Sequence, residues 1–363
     1  AQFSGPAGFA NAQFSGDAWF QKAQFSGPAG FENVQFSDAA VFEKAQFSDA
    51  ARFEKAQFSN AARFKEAQFS DAAGFEKAQF SDAAGFENAQ FSGPAGFKEA
   101  QFSGPARFEN AQFSGPAWFA NATFSRDARF ESGGDTSTPE AIRANTFHFV
   151  TFENVVFNGS ASFLNRQFLD TTSFKGCVFQ QAPAFHNCTL HQDTNFDGTK
   201  FLDMSSEDAV RAYRTLKLAM ENVRARQEEA MFYALEQKSL RSRKDTPWSV
   251  WTASHLYHLT SNYGRTFLRP LGWLLGVTVV SFFIYAAFGS ISLWGHLVDF
   301  TIEQLVRPLS VWLPTSEKSL HKLFGENLLV QLGIKVIATF QSIFSLSLLA
   351  LFLLALRRRF KMG

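Results

Sequence analysis

The first third of the chain repeats a pattern of apolar and polar positions without a break. Twelve blocks of eleven residues fill 1–132, and each block carries two Phe residues at alternating spacings of six and five. A small residue, nearly always Ala, precedes each Phe by two positions, and polar or turn-forming residues fill the rest. This period matches neither a helix nor an ordinary strand, so the pattern predicts the coils of a solenoid.

The alternation within each five- or six-residue unit predicts which side chains fill the solenoid. Residues two apart in an extended chain share a face, so each Phe and the Ala before it should point inward together. Ser, Gly, Pro, Asp and Asn then fall at the corners, where turns favour them. The predicted core includes Phe3, Phe9, Phe14, Phe20, Phe25 and Phe31.

The same lattice resumes after 132–145, a segment rich in Gly, Ser, Thr and Asp that is predicted to be a loop. It then runs to residue 201 with divergent residues at the other positions. Its predicted core includes Phe147, Phe152, Phe157, Phe163, Phe179 and Phe196. With four walls in each coil, the two stretches predict about nine coils. The six-residue units predict a β-bulge at alternate corners.

The repeat Ala-x-Phe-x-x-x-Ala-x-Phe-x-x resembles the pentapeptide-repeat family, in a Phe-centred variant with five- and six-residue units. The resemblance covers about 1–201 and implies an all-β, right-handed quadrilateral β-helix with Phe and Ala inside. Some members of this family resemble duplex DNA in shape and charge and bind topoisomerases. That activity needs a strongly acidic surface, whereas 1–201 has a net charge of only −6.

From Ser205 the pattern changes to that of a helix. Its apolar positions are Val210, Tyr213, Leu216, Met220, Val223, Met231 and Leu235. Charged residues fill the gaps, so the spacing predicts one amphipathic helix of about 35 residues, with Ser205 and Asp208 as its capping signal. We expect this helix either to cover the open end of the solenoid or to pair with a second copy as a coiled coil.

Two segments near the end of the chain are long and free of charge. They are 271–294 and 336–356, and about 20 residues suffice for a helix to cross a bilayer. The sequence therefore predicts an α-helical transmembrane hairpin in 271–363, with 295–335 as a connecting or re-entrant segment. Gln341, Ser342 and Ser345 place polar groups in the second span, where they serve either helix packing or the lining of a pore.

Aromatic and basic residues flank the two apolar segments. The residues predicted at the membrane interface are Trp248, Trp251, Tyr257, Tyr263, Arg265, Arg269, Arg357, Arg358 and Arg359. Six Lys or Arg residues lie in 238–270, whereas 295–335 balances four basic with four acidic residues. The distribution predicts that both ends of the hairpin face the cytoplasm, with the solenoid on the same side.

Three stretches, 213–217, 261–270 and 354–360, resemble bacterial membrane-associated pentapeptide-repeat proteins. The resemblance implies the bacterial inner membrane, and some of these relatives look like two-helix ion channels. A potassium filter needs a Thr-x-Gly-Tyr-Gly-like run, but 295–335 contains only three isolated Gly residues. Selective potassium conduction is therefore not expected.

Catalytic and metal-binding patterns are not visible. The chain shows no nucleophile triad, phosphate loop or paired-carboxylate motif, which predicts a protein that is not an enzyme and needs no cofactor. His186, Cys188 and His191 are spaced like metal ligands, but the lattice points Cys188 inward and both His residues outward. Cys177 also takes an inward position, so both thiols are predicted to be buried and reduced.

Cysteine content and net charge exclude two classes of protein, and the changes of pattern along the chain predict five domains. Two Cys residues and a net charge of +1 exclude a disulfide scaffold and a strongly basic nucleic-acid binder. The predicted domains are the regular β-helix 1–132, divergent coils 133–201, an amphipathic helix 202–245, an interfacial segment 246–270 and the membrane hairpin 271–363.

The leading functional hypothesis is a non-enzymatic, membrane-anchored scaffold. Its cytoplasmic β-helix would bind an unknown protein partner, its hairpin the lipid bilayer, and nucleic acid is not an expected partner. The alternative is a homo-oligomeric, channel-like membrane protein without a potassium filter. A third hypothesis is a DNA mimic that binds a topoisomerase.

Overall fold

The repeat region folds into a β-solenoid with four parallel sheets, named A to D in the order in which the chain first visits them. The computed structural model describes residues 1–133, 137–138, 142, 145–243, 245–307 and 309–360. The chain divides into two units, Ala1–Asp245 and Thr246–Gly363. Sheet C has nine strands among the described residues, in agreement with the predicted number of coils.

Each wall of a coil contributes a strand of two residues. Sheet A contains Gln2–Phe3, Gln24–Phe25, Gln46–Phe47, Gln68–Phe69, Gln90–Phe91, Gln112–Phe113, Thr146–Phe147 and Gln167–Phe168. Sheet B contains Ala7–Gly8, Ala29–Gly30, Ala51–Arg52, Ala73–Gly74, Ala95–Gly96, Ala117–Trp118 and Val150–Thr151. Sheet C contains Gln13–Phe14, Gln35–Phe36, Gln57–Phe58, Gln79–Phe80, Gln101–Phe102, Thr123–Phe124, Val156–Phe157, Val178–Phe179 and Lys200–Phe201. Sheet D contains Ala18–Trp19, Ala40–Val41, Ala62–Arg63, Ala84–Gly85, Ala106–Arg107, Ala128–Arg129 and Ala161–Ser162.

The register between coils is constant through the regular blocks. Gln2 pairs with Gln24, and the equivalent residue 22 positions further along is the partner in the following coils. Every six-residue corner therefore lies beside another six-residue corner, and no strand carries an extra residue relative to its neighbour. The predicted β-bulge at alternate corners is wrong for this reason.

The two kinds of corner use different hydrogen bonds. At the five-residue corner, Ala12 N donates to Phe9 O (3.0 Å) and Asn11 has a φ of 59°. A positive φ at the third residue of such a turn is the feature of a type II turn, and it recurs every eleven residues on Asn, Lys or Glu. At the six-residue corner the backbone instead bonds to the next coil, as when Ala7 N donates to Pro28 O (2.9 Å).

The interior of the solenoid is filled by stacked Phe rings with Ala between them. Phe25 and Phe47 are nearly parallel, with centroids 4.8 Å apart, and rings on adjacent walls meet edge to face. The four Phe residues of the first coil are half-buried, because they have a neighbouring coil on one side only. The other predicted core residues are buried: Phe25, Phe31, Phe147, Phe152, Phe157, Phe163, Phe179 and Phe196.

The segment after residue 132 lengthens one coil and keeps the later Phe residues on the same walls. Across it the pairing partners are 33 positions apart on sheets B, C and D, as in Thr123 and Val156, instead of 22. On sheet A, Phe113 pairs with Phe147, 34 positions further on, and the next coil is one residue shorter there, since Phe147 pairs with Phe168. The extra length is therefore one eleven-residue block on three of the four walls. Most of the predicted loop 132–145 lies outside the described residues.

Two helices follow the last coil, where the sequence predicted one. Helix α1 is Glu207–Asn222 and helix α2 is Arg226–Ser242. Arg224, with a φ of 60°, separates them, and Ala225 N donates to Met220 O (2.9 Å) in the manner of a Schellman motif. The N-cap is Ser206, not Ser205, because the Ser206 hydroxyl accepts from Ala209 N (3.1 Å).

These two helices cover the end of the solenoid. The ring of Phe232 in α2 lies 5.2 Å from Phe196 and 5.4 Å from Phe201, both in the last coil. Tyr213 in α1 packs on Phe201 and donates its hydroxyl proton to Asp203 O (2.6 Å). The capping role predicted for the amphipathic segment is therefore filled by a helical hairpin.

The second unit is helical throughout its described part. Its helices are α3 Trp248–Ser261, α4 Leu268–Phe288, α5 Trp294–Val306, α6 Pro314–Phe324 and α7 Leu328–Phe360, with 3₁₀ turns at Ile291–Leu293 and Ser310–Trp312. Helix α4 ends at Phe288, before the predicted end of the first span at residue 294. Helix α7 begins at Leu328, before the predicted start of the second span at residue 336. Helix α5 packs against both α4 and α7.

Candidate interaction surface and membrane segments

Two opposite faces of the solenoid carry rows of Gln side chains. The outward residue of nearly every regular strand in sheets A and C is Gln. Gln2 Nε2 donates to Gln24 Oε1 (2.9 Å), and Gln24 Nε2 donates to Gln46 Oε1 (3.2 Å). These faces therefore present an uncharged series of donors and acceptors with a repeat of about 4.8 Å.

The other two faces carry mixed charges that pair between neighbouring coils. On sheet D, Arg107 lies 3.9 Å from Glu87 and Arg129 lies 3.7 Å from Glu109. On sheet B, Arg52 lies 3.8 Å from Glu32. Exposed pairs of this kind contribute about 0–1 kcal/mol each, so they neutralise the surface more than they stabilise the fold.

A shallow cleft of about 220 Å³ opens on sheet B. Gly74 and Gly96 form its floor between Arg52 and Trp118. A Cβ at either position would meet the carboxylate of Glu54 or Glu76, so a larger residue there would require that flexible side chain to move. Burial raises the pKa of Glu54, and the carboxylates of Glu76 and Glu32 in the adjoining coils raise it further.

Replacing Glu54 with Gln should stabilise the solenoid at neutral pH. Because the pKa of Glu54 is raised in the folded state, its contribution to stability is most favourable below its ordinary pKa and is lost as pH rises through the folded pKa. We expect Glu54→Gln to gain less than about 1 kcal/mol at pH 7, since the group is half-exposed, and nothing near pH 4. Urea midpoints at both pH values measure this. Glu99→Gln, which removes an exposed partner of Lys77, should give no gain.

Arg166 is a buried cation in the Phe core that our sequence analysis missed. It occupies the inward position two residues before Phe168, where the lattice otherwise has a small residue, and its exposed fraction is 0%. Its guanidinium donates to Ala111 O (3.1 Å) and Phe108 O (3.1 Å) and lies 4.4 Å from the centroid of the Phe147 ring. Burial lowers the pKa of Arg166 to about 9, which leaves it charged at neutral pH.

The position of Arg166 is explained by the interruption after residue 132. In the regular coils the third amide after a Phe closes the turn, but Gly133 N donates to the side chain of Asn110 (2.9 Å). Phe130 O therefore lacks its turn amide, and Arg166 Nε donates to it instead. The lattice rule marks this residue, because Arg stands where a small residue is required.

The two Cys residues take inward positions of the divergent coils. Cys177 is buried and its Sγ lies 2.7 Å from Phe152 O; Cys188 is half-buried with its Sγ 2.9 Å from Phe163 O. Burial raises the pKa of each thiol to about 12. In the part of the chain that the structure describes, no group of three His, Cys, Asp or Glu side chains is placed to hold a metal ion.

Neither thiol should react with an alkylating or disulfide reagent in the native protein at pH 8. A thiol with a pKa near 12 is almost entirely protonated at that pH, whereas a free thiol with a pKa of about 8.5 is partly ionised. Mass spectrometry should find both thiols modified only after unfolding. A Ser103→Cys variant, with the new thiol on an exposed position, should label rapidly as the control. Equal labelling of the native Cys residues would show that the coils open.

The cap carries a buried ion pair between its helices. The Glu236 carboxylate on α2 is 5% exposed and accepts from Arg214 Nε (2.7 Å) and Lys217 Nζ (2.8 Å) on α1. Asp203 precedes the cap; burial would raise its pKa, but hydrogen bonds from Ser206 and from nearby backbone amides lower it overall. The ion pairs therefore join α1 to α2, the Asp203 bonds fix the start of α1, and the aromatic contacts hold the hairpin on the last coil.

Two helices of the second unit are long and apolar enough to cross a membrane. They are Leu268–Phe288 and Leu328–Arg357, with 11% and 28% of their most apolar windows buried inside the chain. A core helix of a soluble domain would be mostly buried. The exposure of these helices therefore favours association with a membrane.

The polar residues predicted for the second span lie in a seam between helices of the same chain. Tyr285 Oη donates to Gln341 Oε1 (2.7 Å), and Gln341 Nε2 donates to Thr301 O (3.0 Å). Ser342 Oγ donates to Gln304 O (3.1 Å), and Ser345 is also buried. In this arrangement Gln341 and Ser342 join α7 to α4 and α5.

The predicted interface residues fall into two groups. Trp248, Trp251, Arg265, Arg269 and Arg357 are exposed, and Tyr257 is half-buried. Tyr263 is buried, because the turn after α3 folds it back so that its Oη lies 3.0 Å from Ser254 Oγ. Its predicted place at the membrane interface stays a prediction. The side chains of Arg358 and Arg359 lie outside the described residues.

Comparison with known proteins identifies the repeat region. A family model described as pentapeptide repeats (9 copies) matches residues 1–44, 42–90 and 86–132. Residues 1–132 therefore consist of pentapeptide repeats, and the resemblance expected from the Phe lattice is confirmed for that stretch. No curated protein matches the chain. No solved structure matches it either.

Proposed function

We propose that the protein is a non-enzymatic, membrane-anchored scaffold of the bacterial inner membrane. Its solenoid would present the Gln-lined faces and the Trp118 cleft to a protein partner in the cytoplasm. Helices α4 and α7 would fix it to the bilayer, with both ends of the hairpin on the cytoplasmic side. The observation that carries this proposal is the joining of a regular polar-faced solenoid to two exposed apolar helices.

The solenoid supports a binding role more than a catalytic one. Pentapeptide-repeat solenoids are typically structural or interaction proteins, and the repeat gives long faces on which one side chain recurs in every coil. Such a surface offers many equivalent hydrogen-bonding positions to an extended partner. The paired charges on sheets B and D do not make the strongly acidic surface that a DNA mimic requires.

The seam residues do not favour the channel alternative. Gln341 and Ser342 direct their hydrogen bonds to α4 and α5 of their own chain. A pore lining needs polar groups that face a water-filled axis. Ion flux in reconstituted liposomes that disappears in Gln341→Leu or Ser345→Ala variants would restore that alternative.

Carbonate extraction of membranes from expressing cells tests the anchor directly. The full-length protein should stay in the membrane pellet at alkaline pH, and its recovery in the soluble fraction would refute the proposal. Orientation follows from single thiols, since the native Cys residues are protected. A Ser103→Cys thiol should be shielded from an impermeant reagent in intact cells, and a Ser319→Cys thiol in the connecting segment should be labelled.

A further inference from the structure

One end of the helix pair α4 and α7 gathers three exposed Arg residues. Phe267, at the start of α4, lies against Phe352, near the end of α7, with ring centroids 6.4 Å apart. Arg265 and Arg269 flank Phe267 in sequence, and Arg357 lies five residues beyond Phe352. All three side chains are exposed, and none forms an ion pair within the described ranges.

This end carries no compensating acidic residue in the sequence of its own unit. Between residues 246 and 363 the acidic residues are Asp299, Glu303, Glu317 and Glu326. All four lie in the connecting segment, which follows the C-terminal end of α4. At that end Ser290 N donates to Leu323 O (3.1 Å). In the connecting segment these four carboxylates balance four basic residues, so the unbalanced positive charge of this unit lies at the end with Arg265, Arg269 and Arg357.

The same end carries an exposed apolar and aromatic helix. Trp273 Nε1 on α4 donates to Leu259 O (3.3 Å), which holds α3 beside the start of α4. Helix α3 exposes Trp248, Val250, Trp251, Leu256 and Leu259. Exposed Trp beside Arg is the composition favoured at the depth of lipid headgroups, where the ring meets acyl chains and the cation meets phosphate.

We infer that this end, formed by α3, Arg265, Arg269 and Arg357, binds the headgroups of anionic phospholipids. The guanidinium fork matches a phosphate oxygen pair, and each basic residue near an anionic surface strengthens association about fivefold. Zwitterionic lipids offer the same phosphate beside a cation, which cancels most of this attraction. The inference rests on the membrane anchor proposed above and adds to it a preference for one class of lipid.

Lipid association with the reconstituted full-length protein tests this inference. The protein is placed in phosphatidylcholine vesicles with a trace of spin-labelled phosphatidylglycerol or spin-labelled phosphatidylcholine. Electron paramagnetic resonance then gives the fraction of each label immobilised at the protein surface. We expect at least about twofold preference for phosphatidylglycerol, averaged over the lipid shell, and a fall to equality in the variant R265Q/R269Q/R357Q.

Two further variants separate the headgroup site from general effects. R307Q/K318Q/K322Q removes the same charge from the connecting segment and should keep the preference. R265K/R269K/R357K keeps the charge and should keep most of it, which also shows that the end tolerates substitution. Equal association of both lipids with the wild-type protein, or an undiminished preference in R265Q/R269Q/R357Q, would overturn the inference.

The same spectra distinguish failure of this site from failure of the anchor. Immobilised phosphatidylcholine without a preference means that the helices contact lipid but do not select headgroups. An absence of immobilised lipid of either kind means that the helices do not lie in the bilayer, which would refute the proposed function itself.

Discussion

Replacing Arg166 with Met is expected to destabilise the coils around it by about 2–5 kcal/mol, because Ala111 O and Phe130 O would lose the donors that satisfy them. Met fills much of the same volume, so the change tests the hydrogen bonds more than the packing. Hydrogen exchange of the full-length protein provides the local measurement. Amides in peptides spanning 108–132 and 145–168 should exchange about two orders of magnitude faster.

The matched control for Arg166 is Arg129→Met. Arg129 is an exposed partner of Glu109 at 3.7 Å, and its loss should change exchange less than about fivefold. A second effect opposes the loss of hydrogen bonds: burying a cation costs several kcal/mol of desolvation, which Met does not incur. Unchanged or slower exchange in Arg166→Met would mean that this desolvation cost exceeds the contribution of the carbonyl contacts.

Replacing Phe86 with Ala should cost about 3–5 kcal/mol, the range for removing a fully buried aromatic ring. Phe86 stacks on Phe64 at 4.9 Å and on Phe108 at 4.8 Å, so its removal leaves a cavity closed on both sides. Phe20 lies on the same wall in the first coil and stacks only on Phe42, at 4.9 Å. Phe20→Ala should cost about half as much, because the half-buried site loses less apolar contact with its surroundings.

The urea dependence of circular dichroism measures both Phe variants in the full-length protein. The helices absorb in the same range as the sheets, so the midpoint of each variant is compared with that of the unsubstituted protein, which has the same helical contribution. Equal destabilisation by the two substitutions would show that the coils unfold as independent units of equal stability. A larger loss at Phe86 would instead show that each ring depends on neighbours above and below it.

The core of the solenoid was predictable from sequence because one physical requirement recurs in every block. Each wall must place one Phe ring inside, which fixes the spacing between Phe residues at five or six. Phe25 and Phe196 are both identified by this spacing, although they lie in different stretches. The β-bulge was predicted wrongly because a bulge requires neighbouring coils of different length, which the number of residues in one coil does not show. Neighbouring regular coils have the same length, so the sixth residue of each long corner lies beside the sixth residue of the next.

Two features that the sequence did not predict have a different cause. Each depends on a local backbone conformation that no characteristic residue type marks. The break between α1 and α2 uses Arg224 at a positive φ, where Gly or Asn would have given a visible signal. The burial of Tyr263 depends on a turn that folds its ring against Tyr257, with centroids 5.6 Å apart. Arg166 is the exception, since its own position in the lattice marks it as unusual.

The constant register between coils makes the length of the solenoid adjustable in fixed steps. Removing or duplicating 22 residues within 1–132 would join equivalent positions and change the solenoid by one coil, or about 4.8 Å, without altering the cap. A change of eleven residues would exchange the opposite faces A and C, which carry the same Gln side chains. The number of repeats thus sets the length of the solenoid in steps of one coil.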